Sequence, residues 1–430
     1  MKTIRFGTDG IRGIYGNTLT EETAFKLGAA LGQKGTVLIG RDNRPSSPSL
    51  ARAVACGVTA SGGSYRAVGV VTTPALYYLL KQSFCGCAVM VTASHNPKEH
   101  NGLKVLTANG KPNEKEQKAI ERRASSVDYC PCGAFSYLES PNLSPYVNFV
   151  KNRIGSLAGA RVVVDFAGGA ASVFKGLFRE MGADVFALNA RKDGSRINEN
   201  CGALFPQACR KTLLSRGADL GICVDGDGDR IIAVTNRGEI LDGDRILYLL
   251  ACRMKQKGTL LKSSVAMTVM TNGGVLKSLT QNGITPICTA VGDTAVAEAI
   301  RTEGLNLGGE QSGHVILGDL LPTGDGLLVG AVLLKSILED GPLDKTAPPD
   351  VYPQILLNVP VKDKNVASDP AVQEAAARIR DTIPEGRLLL RPSGTENLVR
   401  IMVEHPNRDV AQKAAEEVKE VFIIKNELCG

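Results

Sequence analysis

The 430-residue chain has no tryptophan, four histidines and only 5% aromatic residues. It also has no block of about five like charges of the kind that marks a nucleic-acid or membrane-surface patch. Without basic clusters interleaved with stacking rings, a nucleic-acid platform is excluded. Nor does any apolar run approach the roughly 18 residues needed to cross a bilayer. Leu327–Leu334, interrupted by Gly330, is typical of the apolar stretches present. At the start, Met1-Lys2-Thr3-Ile4-Arg5-Phe6-Gly7 meets Gly and Asp before the apolar segment of a secretion signal could form. The expectation is a soluble, cytoplasmic protein with no nucleic-acid or membrane partner.

What is present narrows the choice further. Fifty Lys and Arg against 44 Asp and Glu leave a formal charge of +6, a mild excess that suits an anionic small substrate. Eleven cysteines, an odd number, argue for thiols in a reducing compartment rather than a disulfide framework. The pairs Cys85/Cys87 and Cys130/Cys132 are spaced C-x-C, tighter than the usual spacing of structural zinc, and read as ordinary thiols. A hydrophobic fraction of 43% with 22% charged residues excludes general disorder, and the length calls for several domains.

One pattern recurs three times: a β-branched apolar run, a polar or Gly-rich loop, a helix-period segment, a Gly turn and a second apolar run. The copies start at Thr36, Arg161 and Ser264, and their helical segments are expected at Ser49–Ser61, Ser172–Met181 and Val275–Gln281. Strands alternating with helices predict α/β domains with mixed, largely parallel sheets. After a Pro-containing linker at Asp340–Asp350, the chain reads differently. A helical stretch Asp369–Arg380, the runs Arg387–Leu390 and Leu398–Val403, and a long helix from Arg408 predict a small α+β domain. The expected domains are 1–152, 153–252, 253–345 and 346–430.

Four loops carry chemistry. In Asp225-Gly226-Asp227-Gly228-Asp229-Arg230, glycines between three carboxylates let the backbone fold so that all three converge. An oxygen-only set of that charge suits a hard cation, Mg²⁺ or Mn²⁺. A Ca²⁺ loop of the EF-hand kind needs Gly at its sixth position and Glu at its twelfth, where this chain has Arg230 and Asn236. In Thr92-Ala93-Ser94-His95-Asn96-Pro97, a hydroxyl follows an apolar strand, the place where α/β sheets present reactive groups; the alternative is a helix N-cap at Ser94. Lys104 can bring positive charge or a proton to that loop. Gly309-Glu310-Gln311-Ser312-Gly313-His314 presents groups suited to vicinal hydroxyls, or is an ordinary hairpin turn. Arg391-Pro392-Ser393-Gly394-Thr395-Glu396 offers a guanidinium fork, two hydroxyls and a Gly amide, the set that a phosphate dianion needs; the alternative is a plain turn. Together the loops fit an enzyme acting on a phosphorylated polyol.

These four loops, in this order, resemble those of the α-D-phosphohexomutases, as do Phe6-Gly7-Thr8-Asp9-Gly10-Ile11-Arg12-Gly13 and Gly40-Arg41-Asp42. The resemblance spans nearly the whole chain and implies three related α/β domains and a C-terminal phosphate-binding domain around a central cleft. Gly-Glu-Gln-Ser-Gly-His-Val-Ile-Leu at 309–317 and Thr323-Gly324-Asp325-Gly326 resemble the bacterial phosphoglucosamine mutase branch. Three positions depart from that pattern. Thr294-Ala295 stand where Arg-Tyr is usual, Asn397 where Pro is usual, and His100 where Asp is frequent. The substrate therefore stays open between glucosamine phosphate and the glucose or mannose phosphates of sister branches, with a catalytically silent phosphosugar sensor as the remote alternative.

The resemblance further implies an isomerase of amino-sugar and cell-wall precursor metabolism, working through phosphoserine at Ser94 and a hexosamine 1,6-bisphosphate that is both intermediate and activator. It implies Mg²⁺ bound by Ser94, Asp225, Asp227 and Asp229, positive charge from Arg12 and Lys104, and proton handling by Lys104 or His95. Glu310, Ser312 and His314 are implied to bind the sugar, and Arg391, Ser393, Gly394 and Thr395 its unreacting phosphate. The partner is a phosphosugar; a homodimer is an open alternative.

Overall fold

The computed structural model describes residues 4–428 apart from 8, 34, 134, 192 and 393–396. It divides into two compact units, Met1–Val269 with Ile287–Ala347, and Met270–Pro286 with Pro348–Gly430.

The first unit opens with β1 (Ile11–Ile14), α1 (Glu21–Gly32), β2 (Thr36–Arg41), α2 (Ser47–Ala60), β3 (Ser64–Val70), α3 (Thr73–Lys81), β4 (Cys87–Val91) and β5 (His100–Leu106), then α4 (Glu114–Ser125) and α5 (Ser144–Ile154). Its sheet has the order β1-β5-β4-β2-β3. The next segment contributes β6 (Arg161–Asp165), α6 (Leu177–Glu180), β7 (Asp184–Leu188), α7 (Gln207–Arg216), β8 (Leu220–Val224), β9 (Ile231–Thr235) and β10 (Ile240–Leu241), in the order β10-β9-β8-β6-β7. After α8 (Gly243–Gln256) come β11 (Ser264–Thr268), α9 (Gly273–Gln281), β12 (Thr285–Thr289), α10 (Asp293–Glu303), β13 (Leu307–Gly309), β14 (Val315–Leu317), β15 (Leu321–Gly324) and α11 (Gly326–Asp340), with the order β12-β11-β13-β14-β15.

The three sheets are built alike. In each, a parallel pairing (β2 with β4, β6 with β8, β11 with β13) is followed by an antiparallel one (β4 with β5, β8 with β9, β13 with β14). The Ser94, Asp225–Arg230 and Glu310–His314 loops are the three antiparallel connections, so they occupy equivalent places in the three repeats. The strands before them, β4 and β8, are buried at every residue, because helices cover both faces of a central strand.

Local chemistry sets the helix starts. Thr20 caps α1 by accepting from Thr23 N, and Asn113 and Glu116 form a reciprocal capping box on α4. The expected second helix, Ser172–Met181, is instead a 3₁₀ turn at Ala170–Phe174 followed by the single turn α6. Gly176 sits at the break, where its backbone entropy opposes continuous helix.

α1 and α2 approach through reciprocal glycine notches. A Cβ at Gly28 would lie 2.1 Å from Val54 O, and one at Gly57 only 2.0 Å from Phe25 O. Both obstacles are backbone, so the helices would have to separate. Gly57→Ala is expected to destabilise the fold by about 3 kcal/mol, at the upper end of overpacking costs. Urea unfolding checks it; a change below about 0.5 kcal/mol, the range of ordinary surface substitutions, would contradict the close-packing account.

The second unit carries α9 and the three-stranded sheet β16 (Gln354–Pro360), β18 (Leu398–Glu404), β17 (Arg387–Pro392), with α12 (Pro370–Thr382) and α13 (Arg408–Leu428). The two expected apolar runs are β17 and β18; β16 is a third strand, antiparallel to β18. Glu404, fully buried, accepts from Gly273 N at 2.7 Å and pairs with Arg387, tying the start of α9 to this sheet. Among the described residues no helix is long and apolar enough to cross a membrane, and none of the ten described cysteines is in a disulfide.

Candidate active site

Ser94 lies between β4 and β5 with φ +53°, a left-handed conformation uncommon outside glycine. No helix begins at Ser94, so the N-cap alternative falls away. Its backbone is held from below. Ser94 N donates to Thr92 Oγ1 (2.9 Å), and Thr92 Oγ1 donates to Asp42 Oδ2 (2.7 Å). Arg44, fully buried, pairs with Asp42 at 2.9 Å and donates to the carbonyls of Ser94 (2.7 Å), Asn96 (2.8 Å), His100 (3.1 Å) and Pro97. Asn198 Nδ2 adds bonds to the Ser94 and Asn96 carbonyls at 2.8 and 3.0 Å. These donors fix the loop's carbonyls and direct the Ser94 hydroxyl to the other side.

There the hydroxyl donates to Asp225 Oδ2 at 2.6 Å, and lies 3.3 Å from His95 Nδ1. Asp225, Asp227 and Asp229 are buried and offer carboxylate oxygens within 4.8 Å of one another. Asp227 Oδ2 accepts from Thr73 Oγ1 (2.6 Å) and Lys104 Nζ (2.8 Å); Asp229 Oδ2 accepts from Lys104 at 3.0 Å. Asp227 Oδ1 and Asp229 Oδ1 are buried with no hydrogen-bond partner. Burial, together with Asp229 and Asp227, pushes the Asp225 carboxyl well above the usual range. Two orphaned buried oxygens and a carboxylate strained by its neighbours are what a hard divalent cation would satisfy, so the residues fit Mg²⁺.

Lys104 is the internal counter-charge. Burial favours its neutral form, but Asp227, Asp229 and Asp9 outweigh that and hold the amine protonated. Burial drives His95 the other way, with Arg230 and Arg12 adding to the effect, down to about 4. Its imidazole is therefore neutral near pH 7. Arg12, on β1, pairs with Asp9, which also meets Lys104 at 3.1 Å and Lys111.

The Glu310–His314 loop is the hairpin between β13 and β14, and it is docked on the neighbouring repeat. Ile231 N donates to Gly313 O (2.9 Å) and Gly243 N to Gln311 O (3.0 Å). A Cβ at Gly243 would lie 1.9 Å from Glu310 O, so only glycine permits the approach. Glu310 is half-buried and Ser312 exposed. His314 is buried; its Nε2 accepts from Gly324 N at 3.1 Å, which places its proton on Nδ1, 4.0 Å from Asp229 Oδ1. A cavity of about 800 Å³ is lined by Thr73, Lys111, Asp229, Asp293, His314 and Thr323 among others.

The structure thus brings Ser94, His95, Lys104 and Arg12 together with the three aspartates, and sets His314 against Asp229. Arg391 lies in the second unit, exposed on β17 opposite Arg400. Ser393, Gly394 and Thr395 lie outside the described residues. Sequence reasoning did not single out Asp9, Lys111, Thr73, Arg44 or Asn198 as site residues. Arg44 and Asp9 sat in or beside quoted motifs, whereas nothing around Asn198 signals its role.

Asp325 caps α11 by accepting from Leu327 N (3.1 Å) and Leu328 N (3.0 Å), and accepts from Tyr146 Oη at 2.7 Å. Burial outweighs those bonds and raises its carboxyl to about 6. The folded protein thus binds this proton more tightly than the unfolded chain. The stabilisation is full below about pH 4 and is lost as pH rises through 6, a change of about 3 kcal/mol at most. Asp325→Asn keeps a capping oxygen without the titration. Its Tm is expected to match wild type near pH 4 and exceed it above pH 6; parallel Tm curves across that window would contradict the assignment.

Residues 3–129, 144–238, 242–349 and 356–421 match, in order, the alpha/beta/alpha domains I, II and III and the C-terminal domain of phosphoglucomutase/phosphomannomutase. The chain belongs to the phosphoglucomutase/phosphomannomutase family. Within it, the chain is 39% identical to the phosphoglucosamine mutase of Shouchella clausii over 98% of its own length and 99% of that protein's. It is 40% identical to the phosphoglucosamine mutase of Rhodococcus jostii, covering 96% and 98%. Its fold matches the solved structure of a phosphoglucomutase/phosphomannomutase family protein from Burkholderia thailandensis with a TM-score of 0.81 at 24% identity, over 98% of this chain and 97% of that one.

Proposed function

We propose that the chain interconverts glucosamine 6-phosphate and glucosamine 1-phosphate through a phosphorylated Ser94 and a 1,6-bisphosphate. The observation that carries this reading is the Ser94 hydroxyl, held in a strained loop 2.6 Å from a buried carboxylate triad. The full-length similarity to phosphoglucosamine mutases supports the amino sugar over glucose or mannose.

In the forward direction the bond between Ser94 Oγ and phosphorus breaks as one forms between phosphorus and the sugar's 1-oxygen. The 1-hydroxyl loses its proton and Ser94 Oγ regains one. The neutral His95, 3.3 Å from Ser94 Oγ, is suited to that exchange. The bisphosphate then turns over, its 6-phosphoryl passes to Ser94, and glucosamine 1-phosphate leaves. Asp225, Asp227, Asp229 and an oxygen on Ser94 would hold Mg²⁺, which supplies positive charge to the transferring group. Lys104 and Arg12 add fixed positive charge beside it. Glu310, Ser312 and His314 are assigned to the sugar, and Arg391, Ser393, Gly394 and Thr395 to the unreacting phosphate. The full-length similarity to phosphoglucosamine mutases also favours an enzyme over a silent sensor.

The test compares kcat/KM for glucosamine 6-phosphate with those for glucose 6-phosphate and mannose 6-phosphate, with Mg²⁺ and a hexose bisphosphate activator. The reading expects a strong preference for glucosamine. A preference for glucose or mannose would keep the chemistry and reassign the substrate.

A further inference from the structure

Asp293 is not among the groups assigned above to phosphoryl transfer, yet it is built into the cavity wall. It is the first residue of α10, with its side chain 18% exposed. Burial opposes its charge, but Lys111 beside it is the main counter-charge, and its carboxyl lies below the usual range. The two oxygens are treated differently. Oδ2 meets Lys111 Nζ at 2.6 Å and lies 3.8 Å from His314 Nε2. Among the described residues, Oδ1 accepts a 3.4 Å bond from Thr294 Oγ1 alone, near the limit of hydrogen bonding, from a neighbouring side chain exposed to solvent. The preceding Gly292 N donates to Glu310 Oε1 at 3.0 Å, so Asp293 and the Glu310–His314 loop share one anchor.

We infer that Asp293 is the specificity-determining residue that reads the 2-ammonium group of an amino-sugar phosphate, through Oδ1. The inference rests on the phosphosugar reading above and names the part of the substrate that this carboxylate recognises. An ionised carboxylate on the wall of a cavity that must admit a phosphate dianion is an electrostatic cost unless the same ligand also carries a cation. A 2-hydroxyl would offer that carboxylate a neutral donor, whereas an ammonium offers a charge-assisted one. Lys111 makes the arrangement tolerant: its Nζ is shared with Asp9, so a ligand cation that draws Asp293 away leaves Lys111 still paired.

The experiment measures the ratio of kcat/KM for glucosamine 6-phosphate to that for glucose 6-phosphate in wild type, Asp293→Asn and Lys111→Met. Both substrates carry the same phosphate, so the ratio isolates position 2. The inference expects the ratio to fall at least tenfold in Asp293→Asn and to stay at or above wild type in Lys111→Met. A ratio within threefold of wild type in Asp293→Asn overturns it, as does an equal fall in both variants, which would mark Asp293 as a structural partner of Lys111. If Asp293→Asn does not fold, the same ratio is read from Asp293→Ser and Asp293→Glu. A fall of at least tenfold in Asp293→Ser with a smaller one in Asp293→Glu supports the inference, and a ratio within threefold of wild type in Asp293→Ser overturns it. A wild-type enzyme that turns over glucose 6-phosphate but not glucosamine 6-phosphate would instead refute the proposed function itself, and this inference with it.

Discussion

Ser94→Ala is expected to lower mutase turnover on the order of 10⁴-fold or more, the scale seen when a covalent nucleophile is removed. The loss should sit in kcat. Everything that shapes the loop bonds to backbone: Arg44 and Asn198 hold the Ser94 and Asn96 carbonyls, and Thr92 holds the Ser94 amide. The variant should therefore keep its fold and its phosphosugar affinity, read by Tm and calorimetry. It loses one buried hydrogen bond, from Oγ to Asp225. Wild-type turnover in Ser94→Ala would exclude a phosphoserine enzyme outright, whatever the sugar.

The second large effect belongs to Asp227. Asp227→Asn keeps the side chain's shape and removes one of three charges from the proposed Mg²⁺ site. One oxygen now binds Thr73 and Lys104, while the other is buried without a partner. Lys104 retains Asp229 and Asp9, so the variant is not left with an uncompensated cation. Activity is expected to fall on the order of 10²–10³-fold, the equivalent of several kcal/mol of charge stabilisation. The Mg²⁺ concentration for half-activation should rise with it. The check is a Mg²⁺ titration of both enzymes; superimposable titrations of wild type and variant, or full wild-type activity under chelation, would contradict the carboxylate assignment.

Much of this architecture was readable in the sequence because buried central strands are apolar throughout. The apolar runs expected to start at Thr36, Arg161 and Ser264 are β2, β6 and β11. The second repeat's helix was misread because a helix-period pattern does not register the cost of Gly176 in its middle. β16 was not anticipated: its buried residues, Ile355 and Val359, are too few and too widely spaced to mark a strand by period.

The site was legible as separate loops, not as a constellation. Ser94 and Asp225 are 131 residues apart, and only the fold makes their 2.6 Å bond. Arg44 read as a polar loop residue, since its burial depends on four carbonyls that come from the Ser94 loop. The topology supplies the missing link. Because each loop is the same antiparallel connection of its own repeat, three copies of one unit present Ser94, a carboxylate triad and the Glu310–His314 hairpin from equivalent positions.

The most direct measurement is the phosphorylation of Ser94 itself. Dephosphorylated protein would be incubated with a hexose 1,6-bisphosphate and Mg²⁺, then analysed by intact mass and peptide mapping, before and after addition of glucosamine 6-phosphate. The account predicts one phosphoryl group per chain, on the peptide containing Ser94, which is discharged when the sugar phosphate is added. A phosphoryl group on another residue, or none formed while the enzyme turns over, would contradict it.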